Sequence, residues 1–268
     1  MRRAIVCADD FGFSPAACRS ILQLGEAGRI SATSVAVDGS VVRAHCRELA
    51  ALRPRLAVGL HLNLTENPNF AGARPLKGWI VTSFIGRQMQ VPSDVLRQEV
   101  LRQFQLFEEL FDAPPDYVDG HEHVHQFPGI REHVLETLAA RYVGSVMARS
   151  TETRIYRGAK ASIIACLGGR AFARRLDQLD IGHNYDFAGV YDLQASTGYG
   201  QRMRDWLGGL ADGGLVMCHP EYGAGASAAR THEHYWFAST DWPALLQELQ
   251  VQLVPFSRGS MPASPAAG

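Results

Sequence analysis

The sequence AIVCADDFG, at residues 4–12, determines the expected fold. Its first five residues form an apolar run of the length of a buried strand, and Asp9 and Asp10 follow this run directly. Ser14 then provides an N-cap for a helix whose first residue is Pro15. A strand that leads straight into a helix is the unit from which α/β proteins with parallel strands are built.

The same alternation of short apolar runs and helical patterns continues along the chain. The pattern predicts a single-domain β/α barrel over residues 1–256, either regular or irregular, and a disordered tail over 257–268. An open, doubly wound sheet is the alternative. Helices are expected from Ser93 onward, at 129–141 and at 240–249. Strands are expected at 31–38, 57–64, 116–125 (a strand with the residues that follow it at the rim of the barrel), 143–148, 214–220 and 251–256.

The composition excludes several classes of function. The 268 residues include 26 basic and 27 acidic side chains, so no positive excess favours binding to nucleic acid. The first apolar run is shorter than the core of a signal peptide, and no later run has the length of a membrane helix. We therefore expect a cytoplasmic protein without membrane insertion. Five scattered cysteines predict free thiols rather than a disulfide framework.

Side chains suited to metal binding or proton transfer follow several predicted strands. Asp9 and Asp10 repel each other in a dry site unless a cation or a proton lies between them, whereas a plain helix-capping turn is the alternative. In GLHLNL, at residues 59–64, the leucines share one strand face and His61 lies on the other. His61 is therefore either a ligand at the mouth of the barrel or a core histidine bonded to a backbone carbonyl.

The segment HEHVH places histidines at positions 121, 123 and 125. If this segment is extended, the three imidazoles lie on one side, and one or two of them can share a metal while the others shape the pocket. A solvent-exposed histidine cluster is the alternative. His219 follows another apolar run, and imidazole is well suited to donate a proton near neutral pH. Because strand ends share one face of a β/α barrel, we expect these residues to form one site.

Five motifs together resemble those of the YdjC/ChbG family of carbohydrate deacetylases. The motifs are ADDFG, GLHLNLT, DGHEHVHQFP, FAGVYD and MCHPE, and their order and approximate spacing agree from about residue 3 to residue 250. The resemblance implies a β/α-barrel-like fold related to the NodB-type polysaccharide deacetylases. It also implies hydrolysis of an N-acetyl group from an N-acetylglucosamine-type sugar, either a chitooligosaccharide or a glycolipid.

The resemblance further implies roles for individual residues. Asp9 would be the general base, and His219, in a motif that usually reads His-Pro-Gly, would protonate the leaving amine. Glu221 replaces the glycine of that motif in this chain. The divalent metal, usually magnesium in this family, would be held by Asp10, His61 and His125.

Several alternatives remain open on the sequence alone. A ligand set of one aspartate and two histidines suits zinc as well as magnesium. Arg149, after the strand predicted at 143–148, either holds Asp9 ionised, binds substrate or lies on the surface. A metal-dependent phosphoesterase and a non-catalytic sugar-binding protein are the competing functions. In each case the partner is a small molecule, and a homo-oligomer is compatible with the sequence.

Overall fold

A parallel β-sheet forms the centre of the computed structural model, which describes residues 1–53, 55–85, 91–193 and 198–261. The hydrogen-bonded row has the order β5-β4-β3-β2-β1-β7-β6, and β8 pairs with the first residues of β1. Every strand pairing is parallel, so the predicted α/β class is confirmed. The strands are β1 Arg2–Phe11, β2 Ala32–Val35, β3 Ala57–Leu62, β4 Tyr117–Gly120, β5 Met147–Ala148, β6 Phe187–Ala188, β7 Gly214–Cys218 and β8 Val251–Leu253.

The sheet is curled, and side chains on both of its faces are buried. On the inner face, side chains from β1 to β7 meet in one apolar cluster with Phe256, which lies beyond β8. Strands at opposite ends of the row contribute to this cluster, for example Met147 of β5 and Phe187 of β6, which a flat sheet would keep apart. A bridge between Ala148 and His183 continues the pairing beyond β5. The row is therefore a curled parallel sheet. It is not a regular eight-stranded barrel, because β8 lies outside the row.

Helices pack on the outer face of the sheet, where strand residues such as Val6 and Val58 share one buried apolar cluster with helical residues such as Ile21 and Phe104. Their bounds in the described ranges are α1 Pro15–Glu26, α2 Val42–Ala50, α3 Leu76–Ile80, α4 Ser93–Phe111, α5 Arg131–Arg141, α6 Ala159–Ile164, α7 Arg170–Gln178, α8 Tyr199–Gly209, α9 Ala228–Ser239 and α10 Trp242–Glu248. None of these helices combines the length and the apolar composition needed to cross a bilayer.

The helix starts predicted from local sequence signals are confirmed. The Ser14 hydroxyl accepts a hydrogen bond from the Ala17 amide at 3.0 Å, and α1 begins at Pro15. The helix predicted from Ser93 is α4. The first strand is longer than the predicted run at 4–8, since β1 spans Arg2–Phe11. Other strands are shorter than predicted: only 32–35 of 31–38 pairs as β2, and only 147–148 of 143–148 pairs as β5. In the predicted tail, residues 258–260 form a 3₁₀ turn, and residues from 262 onward lie outside the described ranges.

Helix α9, which the sequence analysis did not predict, holds the end of β7 through a buried carboxylate. Glu233 is completely buried, and its Oε2 accepts a hydrogen bond from the His219 backbone amide at 2.5 Å. Its Oε1 accepts a hydrogen bond from the Tyr191 hydroxyl. Burial raises the pKa of Glu233 to about 7, although both donors act in the opposite direction. The hydropathy pattern of α9 is weak because buried positions carry Glu233 and His234.

The raised pKa of Glu233 predicts a specific dependence of stability on pH. The folded state binds the proton more tightly than the unfolded chain, so this stabilisation is complete below about pH 4.5 and is lost as pH rises through about 7. In Glu233→Gln the melting temperature should therefore fall less between pH 5 and pH 7.5 than in the unmodified protein. Glu248→Gln, which changes an exposed glutamate on α10, is the control. If the melting temperatures of Glu233→Gln and of the unmodified protein changed equally over this pH range, the result would contradict the assignment.

Candidate functional site

The carboxyl ends of the strands surround a cavity of about 580 Å³. Its walls carry charged and aromatic side chains together with apolar ones such as Leu76, Ile164 and Met217. Four of the five residues predicted for the site line this cavity: Asp9, Asp10, His61 and His219. His121 also lines it, whereas the predicted ligand His125 is not among the lining residues.

A distortion at the end of β1 brings two consecutive aspartates into this cavity. Neighbours in a regular strand point to opposite faces. The register of β1 against β2 shifts between Ala8 and Phe11, and Asp10 has a φ of 71° in the left-handed region. Irregularities of this kind re-aim side chains next to active sites, and here both Asp9 and Asp10 line the same cavity.

A buried arginine neutralises the acids beneath the cavity. Arg149 follows β5 and is 0% exposed. Its two terminal nitrogens each lie 2.8 Å from an oxygen of Asp9, and Nη2 also lies 2.9 Å from Oδ2 of Asp119. The surface alternative for Arg149 is therefore wrong, and the arginine holds Asp9. Potential ligand atoms of Cys7, Asp9 and Asp119 cluster at this place, but the guanidinium group already supplies the positive charge.

Asp9 is held in its ionised form. Burial raises the pKa of its carboxyl, but the charge of Arg149 and the nearby His61 outweigh burial, so the pKa lies below its usual value. The hydroxyl of Ser34 and the thiol of Cys7 lie 3.4 Å from Oδ1 of Asp9. Asp9 therefore presents a fixed negative charge to the cavity.

Asp10, His61 and His121 form a triangle of potential metal ligands. Asp10 Oδ1 lies 3.4 Å from His61 Nε2 and 3.2 Å from His121 Nδ1, and the two ring nitrogens are 3.3 Å apart. With metal–ligand bonds of about 2.0–2.1 Å, two ligand atoms lie about 3.0 Å apart in octahedral and about 3.3 Å apart in tetrahedral geometry. The three observed separations agree with a shared cation. In addition, Asp10 Oδ1 is buried and accepts no hydrogen bond from the described residues.

Asp119 orients one side of this triangle, and the sequence analysis missed it. His61 of β3 pairs in register with Asp119 of β4, and His61 Nδ1 lies 2.6 Å from Asp119 Oδ1. This contact turns Nε2 toward Asp10, as carboxylates commonly do for metal-binding histidines. Burial lowers the pKa of His61, but Asp119 and Asp10 outweigh burial and raise it to about 10. The signal available in the sequence was an aspartate two residues before the HEHVH segment.

The HEHVH segment is not extended, and this explains why a different histidine reaches Asp10. Residues 121–126 form a 3₁₀ turn in which Glu122 and His123 adopt left-handed φ values of 52° and 61°. The three imidazoles therefore do not share one side. His125 is completely buried and its Nε2 lies 2.8 Å from the Arg149 carbonyl oxygen, so the turn directs it away from the triangle. His121 occupies the place that the sequence analysis gave to His125.

His219 follows β7, the strand that pairs with β1, and its ring Nδ1 is buried without a hydrogen-bond partner among the described residues. Burial lowers the pKa of His219, and the acids Asp10 and Asp9 only partly oppose this effect. Arg230 of α9 lies beside it and contacts both Asp10 and Glu221, at 2.8 and 3.1 Å. The cavity thus has an ionised carboxylate, a ligand triangle and an imidazole around one space.

Solved structures share this fold. A candidate cellobiose-phosphate cleavage protein from Enterococcus faecalis V583 superposes with a TM-score of 0.71 at 18% identity, covering 97% of this chain and 99% of that one. A peptidoglycan N-acetylglucosamine deacetylase superposes with a TM-score of 0.51 at 10% identity, covering 94% and 85%. A family 4 acetyl xylan esterase from Clostridium thermocellum, solved with a cobalt ion, reaches 0.50 at 8% identity, covering 95% and 88%.

Curated relatives are similar in sequence over part of their length. A chitooligosaccharide deacetylase from Proteus mirabilis is 36% identical over 132 residues, which cover 47% of this chain and 51% of the relative. A carbohydrate deacetylase from Homo sapiens is 32% identical over 230 residues, which cover 80% and 65%. The chain thus spans between about half and just under two thirds of the length of these two relatives.

The match to a protein family extends over nearly the whole chain. Residues 3–248 match the family described as YdjC-like protein, and this range contains β1 except for its first residue, β2 to β7 and every residue of the cavity described above. The resemblance found in the sequence motifs is therefore confirmed. The chain belongs to the YdjC-like protein family.

Proposed function

We propose that the chain is a metal-dependent hydrolase that removes the acetyl group from an N-acetylated sugar. The observation that carries the proposal is the ligand triangle of Asp10, His61 and His121 next to the ionised carboxylate of Asp9. The names of the two curated relatives, a chitooligosaccharide deacetylase and a carbohydrate deacetylase, support the substrate class. We place this activity in one catalytic domain over residues 1–256.

The triangle would hold one divalent cation, with His121 rather than His125 as its third ligand. Magnesium is the family expectation, while two imidazoles also suit zinc, and the similar fold solved with cobalt supports a transition metal. Such a cation supplies a Lewis acid that polarises the amide carbonyl and lowers the pKa of a water molecule. The triangle uses three protein ligands, which leaves positions open for water and substrate.

Asp9 accepts the proton of the attacking water. Arg149 keeps this carboxylate ionised and fixes its orientation through both oxygens, so Asp9 is ready to act without rearrangement. Its low pKa makes it a weak base, and this is sufficient only for a water whose own pKa is lowered. The adjacent ligand triangle would compensate for the low basicity of Asp9, because a cation held there lowers the pKa of the water.

His219 delivers a proton to the leaving amine from another wall of the cavity. Its lowered pKa means that the imidazole is neutral at neutral pH before the reaction. The proton that Asp9 takes from the attacking water passes to His219, which then transfers it to the amine nitrogen, so that both side chains return to their starting states. An amine is a poor leaving group unless it receives this proton.

The described residues favour this reading over the two competing functions. A phosphoesterase of the kind considered from the sequence needs ligands for two or three metals. The second acidic cluster here, Cys7, Asp9 and Asp119, is already neutralised by Arg149. A non-catalytic sugar-binding protein would lack the base or a ligand, whereas Asp9 and a complete triangle line the cavity.

The function is tested by acetate release from a panel of N-acetylated monosaccharides and oligosaccharides, with metal content measured on the same sample. We expect release that chelation abolishes and that added divalent metal restores. Release of phosphate from an aryl phosphate without release of acetate from any sugar would contradict the proposal.

The ligand assignment predicts different effects for two neighbouring histidines. His121→Ala should weaken metal binding by more than about 100-fold, because losing a group that only orients a ligand already costs about 10–100-fold. His125→Gln should change the affinity only a few-fold, since its ring contacts the Arg149 carbonyl. Thermal melts first show that both variants are folded. Calorimetric titration then compares their metal affinities. Intact binding in His121→Ala together with lost binding in His125→Gln would restore His125 as the ligand.

The base assignment predicts a selective loss of turnover in Asp9→Asn. We expect kcat to fall by about 10²–10⁴-fold, the usual contribution of a general base. Stability also falls, because breaking one side of a buried ion pair costs about 3–5 kcal/mol. Asp186→Asn is the control, since Asp186 is a buried partner of Arg157 and is not among the cavity residues. If both variants lose turnover equally per folded molecule, Asp9 has only a structural role.

The role of His219 is tested with two classes of substrate. His219→Ala should impair hydrolysis of an N-acetyl sugar by about 10²–10⁴-fold and hydrolysis of an aryl acetate far less, because a phenolate leaves without a proton. The measurement is kcat/KM on both substrates. Equal losses on the amide and on the ester would rule out His219 as the proton donor.

A further inference from the structure

Arg230 connects helix α9 to one oxygen of a proposed metal ligand. The residue lies in the first turn of α9, and its side chain reaches the cavity while remaining 23% exposed. Its Nη2 donates to Asp10 Oδ2 at 2.8 Å. Its Nη1 donates to Glu221 Oε1 at 3.1 Å, and Glu221 also accepts from the Ser14 hydroxyl at 3.2 Å.

The two oxygens of Asp10 therefore have separate partners. Oδ1 faces His61 and His121, whereas Oδ2 is occupied by Arg230. Asp10 is only 2% exposed, so water does not replace a missing partner at low cost. Its left-handed backbone is a strained conformation that surrounding contacts must maintain.

We infer that Arg230 is a positioning residue that fixes Asp10 so that only Oδ1 is presented to the bound cation. This inference rests on the proposed metal site. Coordination through both oxygens would require Oδ2, which Arg230 holds. One-oxygen coordination leaves more positions for water and for the substrate carbonyl.

Glu221 explains why a positive charge is tolerated next to a cation site. An arginine alone would repel a divalent cation, but the Glu221 carboxylate lies 3.1 Å from the same guanidinium group. The pair is close to neutral as a whole, so Arg230 acts on the metal mainly through the orientation of Asp10. The glutamate that replaces the glycine of the His-Pro-Gly motif thus has a place in this arrangement.

The test is the affinity of the metal-free protein for Zn²⁺, measured by calorimetry without substrate. Arg230→Met should bind about 10–100-fold more weakly, the usual cost of losing a group that orients a ligand. Arg230→Lys keeps the charge but cannot contact Asp10 and Glu221 with a rigid fork, so it should resemble Arg230→Met. Arg204→Met, which removes an exposed arginine paired with Glu248, is the matched control and should bind normally.

A second background shows whether Arg230 acts through Asp10. In Asp10→Ala the affinity is already reduced, and adding Arg230→Met should leave it unchanged or raise it, because only residual repulsion is removed. An equal further loss in this background would mean that Arg230 acts elsewhere. Thermal melts of all variants separate binding effects from unfolding.

The outcomes distinguish the inference from the proposed function. If the unmodified protein binds Zn²⁺ and Arg230→Met binds it equally well or more tightly, the positioning role is overturned while the metal site stands. If the unmodified protein binds neither Zn²⁺ nor Mg²⁺, the metal site itself is wrong, and the inference fails with it.

Discussion

The ion pairs of Arg149 are the constraint on which the site depends. Its guanidinium group contacts Asp9 of β1 and Asp119 of β4, and its own backbone follows β5. Without this cation, two buried carboxylates would face each other without compensation, which costs several kcal/mol per ion. Asp119 then orients His61, so the position of a proposed metal ligand on β3 also depends on the same arginine. One side chain therefore links the ends of β1, β4 and β5.

The buried ion pairs around the cavity contain more carboxylates than guanidinium groups. Arg149 contacts two carboxylates, Asp9 and Asp119, and Arg230 contacts two more, Asp10 and Glu221. Two guanidinium groups thus contact four carboxylates, and this excess of carboxylates supports the proposed cation site. No hydrogen bond from the described part of the chain reaches Asp10 Oδ1, which is also the oxygen that faces the histidines.

Local signals in the sequence predicted much of this arrangement. The Ser14 cap, the alternation around His61 and the position of acids after an apolar run each depend on neighbouring residues, and each agrees with the structure. The family motifs added the order in which these signals occur along the chain. Features that depend on distant contacts were not predictable. A two-residue strand such as β6 has no pattern of its own, because its pairing with β7 defines it.

The choice between His121 and His125 shows the same limit at the level of one residue. Period-two spacing indicates an extended chain, but two consecutive left-handed residues, Glu122 and His123, convert the segment into a turn. Neither residue is glycine, so their conformation has no local signal. Asp119 was missed for a related reason, since its role arises from its register with β3.

The position of β1 in the sheet has a consequence for how the chain folds. β1 lies between β2 and β7, and its pairing partners on β7 are about 210 residues away along the chain. Asp9 and Asp10 at its end therefore cannot be enclosed until almost all of the sequence has been synthesised. Until then β1 has an open hydrogen-bonding edge that ends in two acids. Those acids disfavour association of that edge with another chain, so the residues that form the site also protect the incomplete sheet from aggregation.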